Sequence, residues 1–386
     1  MNSYDKLKDE DELLLYCTRT HIDTTILEKV NLLVKKDLEW DYLIEMASKH
    51  KLMPLLYYNL QSLCSKKVPV IILNELKNYF YSNIRKNLLL TLELINILNL
   101  LKSNGITAIP YKGPILAILA YDNIGLRKFN DIDIFIEKSD VLKVKQILIS
   151  NGYRPYFDLH HISDFNYIKT QREYLFISKN GILIEIHWNL QGPILTLPFE
   201  PKFLFENLGI VCINNSEIST FTDENLILVL ALHIAKHDWV DLSFFVDLSN
   251  FINNNNIKWD ELLKKAAKMN IKRILFINLI ISKDLFDMKI PDDVLNQIYS
   301  DSIALDISVS IKKSLFVSNN KSLELFKKLN LGIKKRDKLI FGIKDCIKSL
   351  FMPSFKEFRS LKFHNNLFFL YFIYRPLNLL KRYKLF

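Results

Sequence analysis

Residues 128–137 read Lys-Phe-Asn-Asp-Ile-Asp-Ile-Phe-Ile-Glu, and the alternation inside this run leaves it one regular structure to adopt. Asp131 and Asp133 are two apart, with Ile132, Ile134 and Ile136 interleaved. Apolar residues at every second position form one face of a β-strand. Strand residues i and i+2 share a face, roughly 6.5 Å apart. The isoleucines therefore enter a core, and both carboxylates project from the opposite face. Two carboxylates that close repel each other, more so in apolar surroundings. A divalent cation removes the repulsion, and Mg²⁺ is commonly held by one or two carboxylates together with substrate phosphates. The run is thus a candidate phosphoryl- or nucleotidyl-transfer site. Read alone, a solvated strand edge bearing two acids is the commoner meaning of so short a pattern.

The neighbouring residues change that balance. Residues 106–110 read as a strand, Lys112-Gly113 as a tight turn, and Pro114 with the apolar run 115–121 as a helix. Proline suits a first helical position because its missing N–H is not needed there. Gly113 permits close backbone approach to a ligand. Free N–H groups at a helix start favour an anion, and Lys112 adds a full charge beside them. Arg127 precedes the two aspartates and can grip phosphate oxygens with two hydrogen bonds. Downstream, residues 174–178 and 182–188 form a hairpin about Asn180-Gly181, a strong turn signal. Its second strand puts Glu185 and His187 on one face. A third strand carboxylate is what a two-metal site requires.

The rest of the chain organises around this segment. Residues 9–103 carry apolar residues at helical spacing, ending in one long helix over 74–103 that Asn104-Gly105 closes. Residues 105–220 alternate short strands with helices, including a helix over 139–151 and a Pro-containing loop over 191–201. Thr222-Asp223-Glu224 opens a second helical region. This predicts an α+β chain with a helical region at 1–104, a mixed core at 105–220 and a helical region at 221–386. His233 and His237 are four apart on the helix expected at 223–238, so they share a face. The run His-Ile-Ala-Lys-His lacks the glutamate of a zinc-protease motif. A polar face turned toward a pocket, with Lys236 alongside, competes with ordinary histidines. Asp247 is placed to orient one of them.

Composition narrows the partners. The 386 residues have a formal net charge of +10 and 49% hydrophobic content. The charge favours anionic partners without choosing among them. Cys17, Cys64, Cys212 and Cys346 are scattered and read as free thiols of a reducing cytoplasm. The polar start, residues 1–12, is no signal peptide, and the apolar stretch 367–374 is too short to span a bilayer. The basic aromatic tail, 351–386, reads first as helices packed on the body. Membrane or nucleic-acid binding by that tail is a further reading with no firm sign in its favour.

The order Lys-Gly, Arg-x-x-x-Asp-Ile-Asp, Glu-Ile-His-Trp and His-x-x-Lys-His resembles the uncharacterised nucleotidyltransferases of the polymerase-beta-like superfamily, over roughly residues 50–260. That resemblance implies a small mixed sheet carrying three carboxylates, Asp131, Asp133 and Glu185, that bind two Mg²⁺ ions and an NTP, with ATP the expected donor. Lys112 and Gly113 occupy the triphosphate turn, which is Gly-Ser in most of the superfamily. Arg127, His187, His233, Lys236 and His237 complete the nucleotide site. The implied reaction moves a nucleoside monophosphate to a hydroxyl of an unspecified small-molecule, peptide or protein acceptor. A non-catalytic nucleotide- or partner-binding module on the same fold is the competing expectation.

Overall fold

The structure is a computed structural model that describes residues 7–190, 195–198, 202–214, 216–316 and 325–382. Most of the expected loop at 191–201, the first six residues and the last four lie outside that set. The strands are β1 (Ala108–Pro110), β2 (Asp131–Ile136), β3 (Arg154–Pro155), β4 (Glu173–Ile177) and β5 (Leu183–His187), with β6 (Gly209–Ile213) and β7 (Ser216–Thr220) in a separate hairpin. The main sheet runs β1-β2-β5-β4-β3. Its β2 and β5 pair in parallel, and its other pairs are antiparallel. The fold is α+β, with a small mixed sheet among helices.

The long helix spans Val70–Ser103 and stops at Asn104 and Gly105, whose φ is +71°. The helix Val141–Ser150 carries the chain back across the sheet, and the hairpin β4–β5 turns at Gly181, φ +78°. The helix Asp223–Lys236 is capped by Thr222, whose side chain accepts from the Asn225 N–H. It is two residues shorter than its sequence pattern predicts, with His237 at its C-cap.

Hydrophobic burial falls in two clusters. One lies on the isoleucine face of the sheet, where Ile132, Ile134, Ile184 and Ile186 meet Leu90, Leu94, Ile97 and Leu101 of the long helix. Phe358 and Tyr371 from the tail helices Phe355–Ser360 and Leu370–Arg382 belong to it. The other joins the first helices to the helices after residue 221, for example Leu13, Leu56, Leu232 and Phe245. Each such side chain contributes roughly 1.5–3 kcal/mol when fully buried.

The second face of β2 is only partly polar. Phe135 shares it with Asp131 and Asp133, and packs against Phe205 and Phe221 with ring centroids 5.5 and 5.8 Å away. Asp133 is only 4% exposed. The carboxylates thus face a covered cleft rather than open solvent, because the helices after residue 221 close over that side. Among the described residues, the four cysteines are free thiols and no helix is long and apolar enough to cross a membrane.

Candidate active site

Strand pairing assembles the centre. Parallel pairing of β2 and β5 sets Asp133 beside Glu185 and Phe135 beside His187. Neighbouring strands lie about 4.8 Å apart, so paired residues on one face are in reach of each other. Asp131 shares that face one pleat earlier. Across the hairpin, Glu173 of β4 pairs with His187 of β5. The turn at Lys112-Gly113 then delivers a cation. Gly113 has φ +54°, a left-handed conformation that disfavours a side chain. Lys112 Nζ lies 2.5 Å from Asp133 Oδ1.

His187 bridges three acids. Its Nε2 is 3.0 Å from Asp133 Oδ1 and 3.3 Å from Glu185 Oε2, and its Nδ1 is 3.1 Å from Glu173 Oε2. Glu173 is also held by its neighbour Arg172, at 2.8 and 3.1 Å. Burial alone would strip the charge from His187, but hydrogen bonds to Asp133, Glu173 and Glu185 overcome it and push its pKa up to about 10. Burial likewise works against ionised Asp133, yet Lys112 and His187 hold its carboxyl well below the usual range. Asp131 is compensated only in part, by the charges of Lys112 and Arg127. Burial and then the charge of Asp133 push it up to about 6.

The opposite wall is basic and aromatic. Arg127 donates through Nε to Asp247 Oδ2 at 2.9 Å, and Tyr121 donates to Asp247 Oδ1 at 2.6 Å. Asp247 therefore positions Arg127, not a histidine as its place in the sequence suggested. His233, His237 and Phe244 form an aromatic trio with centroids 4.6 to 5.6 Å apart. Burial and then Lys112 lower the pKa of both histidines, which keeps the rings uncharged at neutral pH.

One cavity of about 250 Å³ takes in nearly all of these groups. Lys112, Arg127, Asp131, Asp133, Glu185, His187, His233, Lys236 and His237 line it. Gly113 does not; its part is to shape the turn. Lys51, Arg172, Glu173 and Phe244 also line it and were not singled out from the sequence. Glu173 was within reach of sequence reasoning. Counting outward from a three-residue loop Lys179-Asn180-Gly181 sets the hairpin register and puts residue 173 opposite 187. Lys51 gave no signal, because only packing of the first helices brings it here.

The donors present suit a divalent cation. Asp133, Glu185 and His187 each offer one ligand atom, all within 4.8 Å of one another, the one group of this kind among the described residues. Asp131 shares the face but lies outside that compact group. The Lys112 ammonium on Asp133 marks where positive charge is needed. A family model described as an uncharacterised nucleotidyltransferase matches residues 36–287, a span that includes every side chain lining the cavity. No curated protein and no solved structure matches the chain.

Proposed function

The chain belongs to the uncharacterised nucleotidyltransferase family, and from that premise we propose that it moves a nucleoside monophosphate from an NTP, ATP in the first instance, to an acceptor hydroxyl with release of pyrophosphate. The acceptor oxygen forms a bond to the α-phosphorus as the bond to the pyrophosphate oxygen breaks, and Glu185 takes the hydroxyl proton. Asp131, Asp133 and Glu185 would hold Mg²⁺, which when bound supplies charge neutralisation at the triphosphate and the attacking oxygen. Lys112, released from Asp133, and Arg127, steadied by Asp247, would meet the phosphates as charge moves onto the leaving group. The uncharged His233 and His237 rings with Phe244 offer an aromatic surface, and Lys236 a charge, on the far wall.

The observation that carries this reading is the parallel pairing of β2 with β5, which puts the third carboxylate beside the Asp131–Asp133 face in a cavity that Lys51, Lys112, Arg127 and Lys236 also line. Glu185→Gln tests it. NTP affinity with Mg²⁺, measured by calorimetry, should fall little, while pyrophosphate release should fall by a hundredfold or more. Unchanged release would remove Glu185 from the reaction.

One observation favours a second reading, a non-catalytic nucleotide- or partner-binding module. Lys112 and His187 already neutralise Asp133 internally. Wild-type protein that binds NTP yet releases no pyrophosphate with any acceptor class would support that reading.

A further inference from the structure

His187 has a carboxylate on each side of its ring, and the two sides differ. On the Nδ1 side, Glu173 is itself fixed by both hydrogen bonds to Arg172. On the Nε2 side lie one oxygen of Asp133 and one of Glu185, at 3.0 and 3.3 Å. Around a six-coordinate ion with bonds of about 2.1 Å, adjacent ligand atoms are about 3 Å apart. A metal-bound histidine almost always donates its other N–H to a carboxylate, which fixes the ring and leaves the remaining nitrogen to the ion. Glu173 is in position to do this for His187. All four residues sit on paired strands, where small displacements are resisted.

A purely structural ion pair accounts for less. Asp133 has Lys112 as its own cation and Glu173 has Arg172. We infer that His187 is a metal ligand through Nε2, completing a centre with Asp133 and Glu185, and that this centre takes a transition-type divalent cation, Mn²⁺ ahead of Mg²⁺. Imidazole nitrogen suits first-row transition ions, whereas Mg²⁺ keeps to oxygen and water. On loading, the ion takes the place that a proton holds on Nε2, and that proton leaves to solvent. Nδ1–H stays on Glu173, and Lys112 gives up Asp133. The inference rests on the nucleotide-transfer reading for the use of the cavity and adds to it the nature of the ion.

The test uses the full chain and Mn²⁺ alone, read by pulsed electron paramagnetic resonance. Wild type should show a directly bound ¹⁴N nucleus. In His187→Gln that coupling should vanish, and Mn²⁺ should bind at least about tenfold more weakly, with less preference over Mg²⁺. Glu173→Gln should keep the nitrogen signal but bind more weakly. Bound Mn²⁺ without nitrogen coupling in wild type overturns the inference, as does an unchanged Kd in His187→Gln. Should that variant fail to fold, the wild-type spectrum alone decides. Nitrogen-free Mn²⁺ with pyrophosphate release leaves the transfer reading standing. Nitrogen-bound Mn²⁺ without release sustains the inference and counts against transfer.

Discussion

Arg127 and Asp247, 120 residues apart, meet at 2.9 Å beneath the cavity, and the second Asp247 oxygen is taken by Tyr121. Both partners are largely removed from solvent. Breaking a buried pair by deleting one member strands the other charge and typically costs about 3–5 kcal/mol. Asp247→Ala should therefore lower unfolding free energy by that order and weaken NTP binding. The double variant Arg127→Met, Asp247→Leu should recover most of the stability and none of the NTP affinity. Urea unfolding with nucleotide titration reads both, and a wild-type melt for Asp247→Ala would show that the pair carries no stability.

The two aspartates of β2 should behave differently, although one sequence pattern contains both. Asp133 is tied to Lys112 and His187, so Asp133→Asn should cost on the order of 3 kcal/mol besides activity. Asp131 has its pKa raised to about 6, against about 3.9 unfolded. A raised carboxylate favours the fold below the unfolded pKa, and that advantage is lost as pH climbs through about 6. Above that, ionised Asp131 weakens the metal-free protein. Asp131→Asn should then be more stable than wild type at pH 7, on the order of 1 kcal/mol after solvent screening, while losing turnover. The gap should close by pH 4. Melting curves from pH 4 to 8 without divalent ions decide, and a pH-independent gap would remove Asp131 ionisation as its source.

Lys112 should reveal two roles in one variant. Without metal it is the cation of Asp133; with NTP its partner is the triphosphate. Lys112→Met should lower the metal-free Tm, enlarge the Tm gain on adding Mn²⁺ or Mg²⁺, and weaken ATP roughly tenfold, about 1.4 kcal/mol. Adenosine affinity should hardly change. Equal losses for ATP and adenosine would assign Lys112 elsewhere.

His50 sets a separate pH limit from outside the cavity lining. Its Nδ1 accepts from the Leu242 N–H at 3.2 Å, so Nε2 carries the proton and donates to the Leu315 carbonyl at 3.1 Å. Burial is the main cause of a pKa lowered to about 4. A depressed histidine stabilises the fold above its unfolded pKa of about 6.5 and loses that contribution as pH falls toward 4, worth roughly 3 kcal/mol in all. Wild type should weaken steeply over that window, and His50→Gln should flatten the curve there. Parallel curves for the two proteins would exclude His50.

Local chemistry made much of this legible in the sequence. The alternation at 131–136, the Lys-Gly-Pro turn, the Asn-Gly hairpin and the histidine spacing at 233 and 237 each involve a few residues, and each takes the form its spacing predicts. Contacts between distant segments were out of reach of spacing; only the family resemblance put Glu185 with Asp131 and Asp133. Nothing in the chain marks β2 and β5 as parallel partners some fifty residues apart, or Arg127 as the partner of Asp247. Phe135 interrupts the polar face and signals its cover, but a lone aromatic does not say by what. The hairpin β6–β7 carries the same local signal: Val211 and Ile213 are buried, Ile210 and Cys212 exposed, with Asn214 at φ +49° after them.

The long helix Val70–Ser103 has a consequence for the speed of encounter. At its middle, Asn83 donates to the carbonyls of Gly125 and Arg127, and Asn87 to those of Ile124 and Arg127. The backbone of the loop carrying Arg127 is held from one side and its guanidinium from the other by Asp247. Among the described residues, the loop that carries Arg127 is already in place before a nucleotide arrives. Capture should therefore run in a single kinetic phase whose rate constant is set by diffusion and by the field of Lys51, Lys128 and Lys236 at the mouth, and should fall steeply as ionic strength rises.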